Sequence, residues 1–89
     1  MSYTALQFQR AYMTFAKELA EKFGKNAFDL AKKHPADGMY SERMYVHKLI
    51  ANEVHKVLLT MFVDIKVSMA FMEEDEPNYG TATFTIEWE

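Results

Sequence analysis

The chain has 89 residues, a mass of 10.4 kDa and a net charge of -3, and 49% of its residues are hydrophobic. This length favours one compact domain over residues 1–89, and this composition excludes a wholly disordered chain. There is no cysteine, no signal-peptide pattern, no lipidation motif and no apolar run of the ~18 residues that a membrane span needs. We therefore expect a cytoplasmic protein without disulfides and without membrane contact.

The first predicted element is an amphipathic helix over residues 4–23. Phe8, Tyr12, Phe15, Leu19 and Phe23 follow one another at steps of three and four, which places them on one helical face that we expect to be core. Gly24 supplies either a C-cap or a break, with a second helical piece after it, or the helix runs straight through this residue; in both cases it ends near His34, before Pro35.

A second long helix is predicted to begin after Ser41, which is a favourable N-cap residue. Apolar residues then recur at helical spacing, and polar side chains occupy the opposite face. The predicted stripe consists of Val46, Leu49, Ile50, Val54, Val57, Leu58 and Met61.

After Phe62 the spacing of apolar residues changes from helical to alternating, which predicts two strands over residues 63–71 and 81–88. The polar, turn-rich residues 73–80 would close an antiparallel hairpin between them. The fold class is therefore α+β, with two long helices, with or without a short third between them, packed on a C-terminal hairpin in the order α-(α)-α-β-β.

The last predicted strand would leave a free edge, because both strands of a two-stranded sheet are edges. Neither proline nor lysine blocks pairing along it. It could form a homodimer or accept a partner's strand, or it could remain a twisted edge in water. The residues of this self-association edge are Thr81, Thr83, Thr85 and Glu87.

The charges are unevenly distributed along the chain. Residues 1–34 carry six basic and three acidic side chains, whereas residues 62–89 carry one lysine and seven acids. The two ends could complement one another within the fold, or they could orient a partner. The acidic loop of Glu73, Glu74, Asp75 and Glu76 is either a solvated hairpin tip or a surface that attracts a partner's basic groove, as nucleic-acid mimics do.

Several tyrosine and methionine residues fall outside the predicted core stripes. Such side chains are enriched at protein interfaces, although they could also cover the ends of a small core. The candidate partner-binding residues are Met39, Tyr40, Met44 and Tyr45 in the connection over residues 35–45, and Tyr79 at the hairpin tip.

No pattern of the sequence points to catalysis, a metal or another cofactor. The three glycines are too far apart for a phosphate-binding loop, and His34, His47 and His55 lack the spacing of a zinc site. Ser68 and His55 have no local context that would activate a nucleophile. We therefore expect a protein that is not an enzyme.

The predicted order of helices and hairpin resembles that of winged-helix DNA-binding regulators in outline, with Arg43, His47 and Lys48 as base-reading residues on the last helix. The acidic loop would lie where the wing meets phosphates and would be repelled, so nucleic acid is the less favoured partner. The favoured interpretation is a small non-enzymatic protein-binding module. By analogy with small phage and mobile-element proteins, it would act as an inhibitor that occupies the surface of a host or defence protein.

Overall fold

A computed structural model describes residues 2–89 of the chain. Its elements are α1 (Ala5–Lys33), β1 (Met39–His47), α2 (Lys48–Met61), β2 (Lys66–Glu73) and β3 (Tyr79–Glu87). The α+β class and the antiparallel pairing of β2 with β3 are confirmed. The order differs from the predicted one, because a third strand stands where the start of the second helix was expected.

The first helix runs without interruption through Gly24. It begins in a capping box in which the Thr4 side chain accepts from the Gln7 backbone N–H at 3.2 Å and the Gln7 side chain accepts from the Thr4 backbone N–H at 2.7 Å. Of the two alternatives at Gly24, a break or a continuous helix, the structure has the continuous helix, and packing explains the glycine. A Cβ at this position would lie 2.8 Å from Met61 Cε and 3.3 Å from Phe62 Cζ, so the glycine allows the end of α2 to approach α1 closely.

The segment Met39–His47 is a strand, so the prediction of a helix from Ser41 onward is wrong. Its even-numbered side chains face the helices, and its odd-numbered side chains from Met39 to Tyr45 are exposed, which is the period of two that defines a strand. The predicted apolar stripe that begins at Val46 combined residues of two elements. Val46 belongs to the end of this strand, and the helix begins only at Lys48. The His47 side chain is its N-cap and accepts from the Leu49 backbone N–H at 3.0 Å.

The three strands form an antiparallel sheet in the order β1-β3-β2. The last strand therefore lies in the middle, paired to β1 on one side and β2 on the other. The prediction that it offers a free edge is wrong, because the backbone groups of these residues already serve two ladders. The residues concerned are Thr81, Thr83, Thr85 and Glu87.

Both helices pack on one face of the sheet and enclose a single core. Phe23 of α1 meets Phe84 of β3 with ring centroids 5.5 Å apart. The expected inward alternation of the last strand is confirmed, whereas the apolar stripe of α1 is buried only in its second half. The buried core residues are Ala16, Ala20, Phe23, Ala27, Val46, Ala51, Val54, Leu58, Ala82, Phe84 and Ile86.

The other face of the sheet is uncovered. Its middle row holds the side chains of Thr81, Thr83 and Thr85, which are half-buried by their neighbours on β1 and β2. This outer face and the loops at its ends are where the sheet is available to a partner.

Candidate functional site

Three aromatic side chains cluster at one end of the outer sheet face. The rings of Tyr45 and Tyr79 stack at 6.1 Å between centroids with an angle of 19° between their planes. The rings of His47 and Tyr79 pack edge to face, with their centroids 4.8 Å apart. The register explains the grouping, because His47 lies opposite Tyr79 in the ladder and Tyr45 lies two residues earlier on the same face.

The acidic loop adjoins this cluster directly, since β3 begins at Tyr79. Its ends are joined by hydrogen bonds from the Glu74 backbone N–H to the Tyr79 carbonyl at 2.9 Å and from the Tyr79 N–H to the Glu76 carbonyl at 3.2 Å. Positive φ angles at Asp75 and Asn78 turn the chain tightly. The loop is thus built to hold its acids beside the tyrosines.

Two of the loop carboxylates take part in its internal hydrogen bonds. Glu73 Oε2 accepts from the Asn78 backbone N–H at 3.2 Å, and Glu74 Oε2 accepts from the Thr81 hydroxyl at 3.1 Å. These donors are a backbone N–H and a hydroxyl, so the bonds bring no positive charge to the loop. Over residues 2–89 the single ion pair joins Lys32 to Asp29, both on α1. None of the four acids of residues 73–76 therefore forms an ion pair with a basic side chain of these described residues, and no ion pair among them links the basic α1 to the acidic hairpin.

The negative field of the loop reaches the aromatic cluster. Partial desolvation raises the pKa of the Tyr45 hydroxyl, and the charges of Glu76, Asp75 and Glu74 raise it further. Tyr45 is nevertheless 52% exposed and Tyr79 is 38% exposed, so both rings are open to a partner. We call Tyr45, His47, Tyr79 and residues 73–76 the aromatic-acidic site.

A shallow hollow on the sheet continues the aromatic-acidic site toward the centre of the outer face. Its volume is about 380 Å³. It combines an apolar floor with a guanidinium, a carboxylate and two hydroxyls, which is the mixture that receives a side chain of a partner protein. Its lining consists of Arg43, Ala70, Phe71, Met72, Glu74, Thr81 and Thr83.

The predicted partner-binding residues do not all meet. Tyr45, Tyr79 and the four acids come together as expected of one surface, and Met39 is exposed at the other end of β1. Tyr40 and Met44 face the helices and pack against the core. The prediction that Tyr40 and Tyr45 lie on one surface is therefore wrong, because an even-numbered and an odd-numbered residue of one strand point to opposite faces of the sheet.

Tyr40 instead belongs to a polar group between the sheet and α1. Its hydroxyl donates to Glu42 Oε1 at 2.7 Å and accepts from Asn26 Nδ2 at 3.3 Å. Burial and the bond to Glu42 raise the pKa of this tyrosine. The group satisfies the polar atoms of an inward-facing carboxylate, and its role is structural.

Sequence reasoning missed His47 as a member of the aromatic cluster. The signal was present in the alternation of Tyr45 and His47, but it is informative only once residues 39–47 are recognised as a strand. The winged-helix interpretation needed Arg43, His47 and Lys48 on one helix. They lie instead on β1, at its end and at the first residue of α2, so they share no helical face.

Comparison with protein-family models, with curated proteins and with solved structures finds no match to this chain. Neither helix within residues 2–89 is long and apolar enough to cross a membrane. Over the same residues, no three His, Asp or Glu side chains are grouped closely enough to hold a metal ion. The aromatic-acidic site therefore has to be interpreted from its own geometry.

Proposed function

We propose that the protein is a small non-enzymatic protein-binding module whose aromatic-acidic site binds a basic segment of its partner. The observation that carries this proposal is the stacked Tyr45–Tyr79 pair beside four carboxylates that form no ion pair within residues 2–89. An arginine or lysine side chain gains from both parts, since the ring face attracts a cation and the carboxylate accepts its hydrogen bonds.

The geometry supports recognition of several cationic side chains together. The tyrosine pair and the loop form a continuous surface at one end of the sheet, and Glu74 also lines the neighbouring hollow, together with Arg43 and apolar atoms. A partner surface with a row of basic residues would be attracted by the field of the loop and then oriented by the rings. We propose that the partner is cytoplasmic and uses such a surface to bind nucleic acid. This protein would then be an inhibitor of phage or mobile-element type that competes with nucleic acid for that surface.

The binding chemistry can be measured with a defined probe, a fluorescein-labelled hexa-arginine peptide titrated with the protein and followed by fluorescence anisotropy. We expect Tyr45→Ala and Tyr79→Ala each to weaken binding about 2- to 5-fold, which corresponds to the ~0.5–1 kcal/mol of an exposed cation–π contact. Phe28→Ala is the matched control, because Phe28 is an aromatic residue that is 64% exposed on α1 and outside the aromatic-acidic site. Binding that is equal in all three variants would contradict the proposal.

The acidic part is tested by charge removal without change of shape. Asp75→Asn together with Glu76→Gln should reduce the affinity and flatten its dependence on salt, because fewer charges attract the peptide. Glu21→Gln with Glu53→Gln removes the same charge elsewhere and should leave the affinity within about 2-fold of the wild type. A labelled DNA duplex at ~50 mM salt should not bind, and tight, salt-sensitive binding to it would favour a nucleic-acid-binding function instead.

A further inference from the structure

Within residues 2–89, the outer edge of β2 carries backbone groups that no other strand pairs. The sheet order β1-β3-β2 places β2 at one side of the sheet, with β3 as its one neighbour. The Glu74 backbone N–H, just after β2, donates to the Tyr79 carbonyl of β3. Backbone groups alternate sides along a strand, so the even-numbered residues of β2 bond to β3 and the odd-numbered ones point to the open edge. These edge-directed residues are Val67, Met69, Phe71 and Glu73.

The two open edges of the sheet differ in how well they are protected against pairing. In the middle of β1, Glu42 faces inward and accepts from the Tyr40 hydroxyl, and an inward-pointing charge discourages a further strand. Residues 67–72 of β2 contain no charge, no proline and no glycine. Their register with β3 also continues without a bulge. The edge of β2 is therefore a template for another strand.

The apolar side chains of β2 are incompletely covered in the single chain. Val67, Met69 and Phe71 pack against the core, yet each remains partly exposed. On β3, Phe84 and Ile86 face the same way and are only 1% exposed. A strand added at the edge would place its own side chains beside the β2 row and cover this surface. The edge thus favours an occupant that supplies both backbone groups and apolar side chains.

Two-fold symmetry selects one register in which two β2 edges fit. An axis perpendicular to the sheet makes the two strands antiparallel and sets odd-numbered residues opposite odd-numbered ones. With the axis at Ala70, every edge-directed residue lies opposite another one, and about eight hydrogen bonds form, two for each pair. Moving the axis by one residue leaves one of the four opposite a residue outside β2. The opposing pairs at Ala70 are Val67 with Glu73 and Met69 with Phe71.

The same register brings opposite charges together at both ends of the interface. Lys66 is the single basic residue of residues 62–89, and it would lie opposite Glu74 of the second copy on the outer face. The two acidic loops would stay about 27 Å apart, from eight residues at 3.4 Å each. Parallel strands would instead set the two loops side by side, where they repel one another. The charge pattern therefore favours a second copy of the chain, in antiparallel orientation, as the occupant.

From the open edge, its register and its charges we infer that the β2 strands of two chains pair antiparallel about a two-fold axis at Ala70. The pairing joins two three-stranded sheets into one continuous sheet. Ala70 and Met72 also line the hollow of the outer face, so the hollows of the two chains meet across the axis and form one groove. An aromatic-acidic site lies at each end of this groove. The inference does not depend on the function proposed above, because the pairing uses the backbone of β2.

The first test is the molar mass of the full chain by light scattering over a concentration series from about 5 to 500 μM. We expect a dimer for the wild type and a rise of at least about 10-fold in the dissociation constant for Ala70→Lys, because two like charges would meet at the axis. Ser41→Lys is the matched control, since Ser41 is exposed on the same face at the other edge, and it should dimerise like the wild type. Circular dichroism of each variant confirms that the domain is folded.

Complementary charge reversal tests the register. Lys66→Glu and Glu74→Lys each place like charges opposite one another at both ends of the dimer, which should weaken it about 5- to 30-fold. In an equimolar mixture of the two variants, each end holds an acid opposite a lysine, so a dimer of nearly wild-type affinity should return. A mixture that stays as weak as its components would contradict the register at Ala70.

Cross-linking locates the axis, because the chain has no native cysteine. Ala70→Cys places two thiols opposite one another at a Cα separation of about 4.5 Å, and mild oxidation should link the chains. Ser68→Cys places its two thiols about 14 Å apart along the strands, from four residues at 3.4 Å each, and should not cross-link. Efficient cross-linking of Ser68→Cys would move the axis and contradict the charge pairing.

Several results would overturn the inference. A wild-type monomer at 500 μM would do so, and so would a dimer that Ala70→Lys leaves unchanged. A dimer lost in Ser41→Lys but kept in Ala70→Lys would place self-association on the edge of β1. A dimer lost in Phe8→Ser but kept in Ala70→Lys would place it on the uncovered first half of α1, where Phe8 is 71% exposed.

Discussion

Adding a methyl group at each of two buried glycines should destabilise the protein at one position and be nearly neutral at the other. Gly24 and Gly80 are both buried, and neither has a positive φ angle. At Gly80 a Cβ would overlap the backbone carbonyl oxygen of Met72 and lie 2.7 Å from its carbonyl carbon and 2.8 Å from Glu73 Cα. At Gly24 the nearest atoms belong to the ends of two side chains, Met61 and Phe62.

The magnitudes follow from what has to move. Carbon atoms in contact are about 3.5–4 Å apart, so Gly80→Ala must separate β2 from β3 by close to 1 Å. Overpacking of this kind costs about 1–3 kcal/mol, and each ladder hydrogen bond that is lost adds about 1 kcal/mol. Alanine also lowers the conformational entropy of the unfolded chain relative to glycine, which stabilises the folded state by about 0.4–1 kcal/mol. We expect Gly80→Ala to lower the free energy of unfolding by about 2–3 kcal/mol.

The same change at Gly24 should be nearly neutral. The Met61 side chain is partly exposed and can rotate away, while alanine favours the helix by about 1 kcal/mol over glycine. We expect Gly24→Ala to lie within about 0.5 kcal/mol of the wild type. Both variants replace glycine with alanine and so lower the entropy of the unfolded chain in the same way. The difference between their free energies of unfolding therefore measures the clash with the backbone at the hairpin.

Urea unfolding followed by the fluorescence of the single tryptophan, Trp88, measures both variants on one scale. For a domain of this size, 2–3 kcal/mol corresponds to a fall in melting temperature of about 10–20 °C. Gly80→Ala should also weaken binding of the arginine peptide, because it displaces the adjacent Tyr79. Equal stability of the two variants would refute the reasoning that backbone approach requires glycine at residue 80.

Three further predictions concern the core and the tyrosines. Phe84→Ala should cost about 3–5 kcal/mol in urea unfolding and Phe28→Ala less than about 0.5 kcal/mol, since the first ring is buried and the second is exposed; equal losses would contradict the assigned core. Burial raises the pKa of Tyr40 in the folded state. The contribution of Tyr40 to stability is therefore complete below the ordinary tyrosine pKa of 10.0 and is lost as pH rises through the higher folded pKa. Between pH 10 and 12, the stability of Tyr40→Phe should accordingly fall less than that of the wild type. In a titration of tyrosinate absorbance, Glu76→Gln should lower the pKa of Tyr45 toward its usual value and leave that of Tyr40 unchanged, whereas an unaltered Tyr45 curve would show that the loop charge does not reach this ring.

The local patterns of the sequence predicted much of the fold where one periodicity was uninterrupted. The alternation of Ala82, Phe84 and Ile86 placed three buried residues correctly, and the acidic loop between β2 and β3 was correctly located. The error at residues 39–47 arose at a junction. Met44 and Val46 alternate as in a strand, but Val46 also stands three and four residues before Leu49 and Ile50, so one residue fits both periods.

The sequence predicted the acidic part of the aromatic-acidic site but not the pairing of its tyrosines. Its acids are consecutive, so their common surface followed from the chain itself. Tyr45 and Tyr79 are 34 positions apart, and only the pairing of β1 with β3 brings their rings to 6.1 Å. The loss of Tyr40 and Met44 from the predicted surface has the same cause, since strand parity decides which face a side chain joins.

By itself, the sequence determined the helical stripes, the alternating strands, the charged loop and the α+β class, because each depends on contacts between residues close in the chain. The tertiary structure alone decided that β3 is the middle strand, that the end of α2 approaches α1 at Gly24 and that the first half of α1 extends beyond the elements packed on it. These features depend on which surfaces meet across long separations. A stripe of apolar residues shows that a helix has a face to bury, whereas the length of the elements packed against it decides how much of that face is covered.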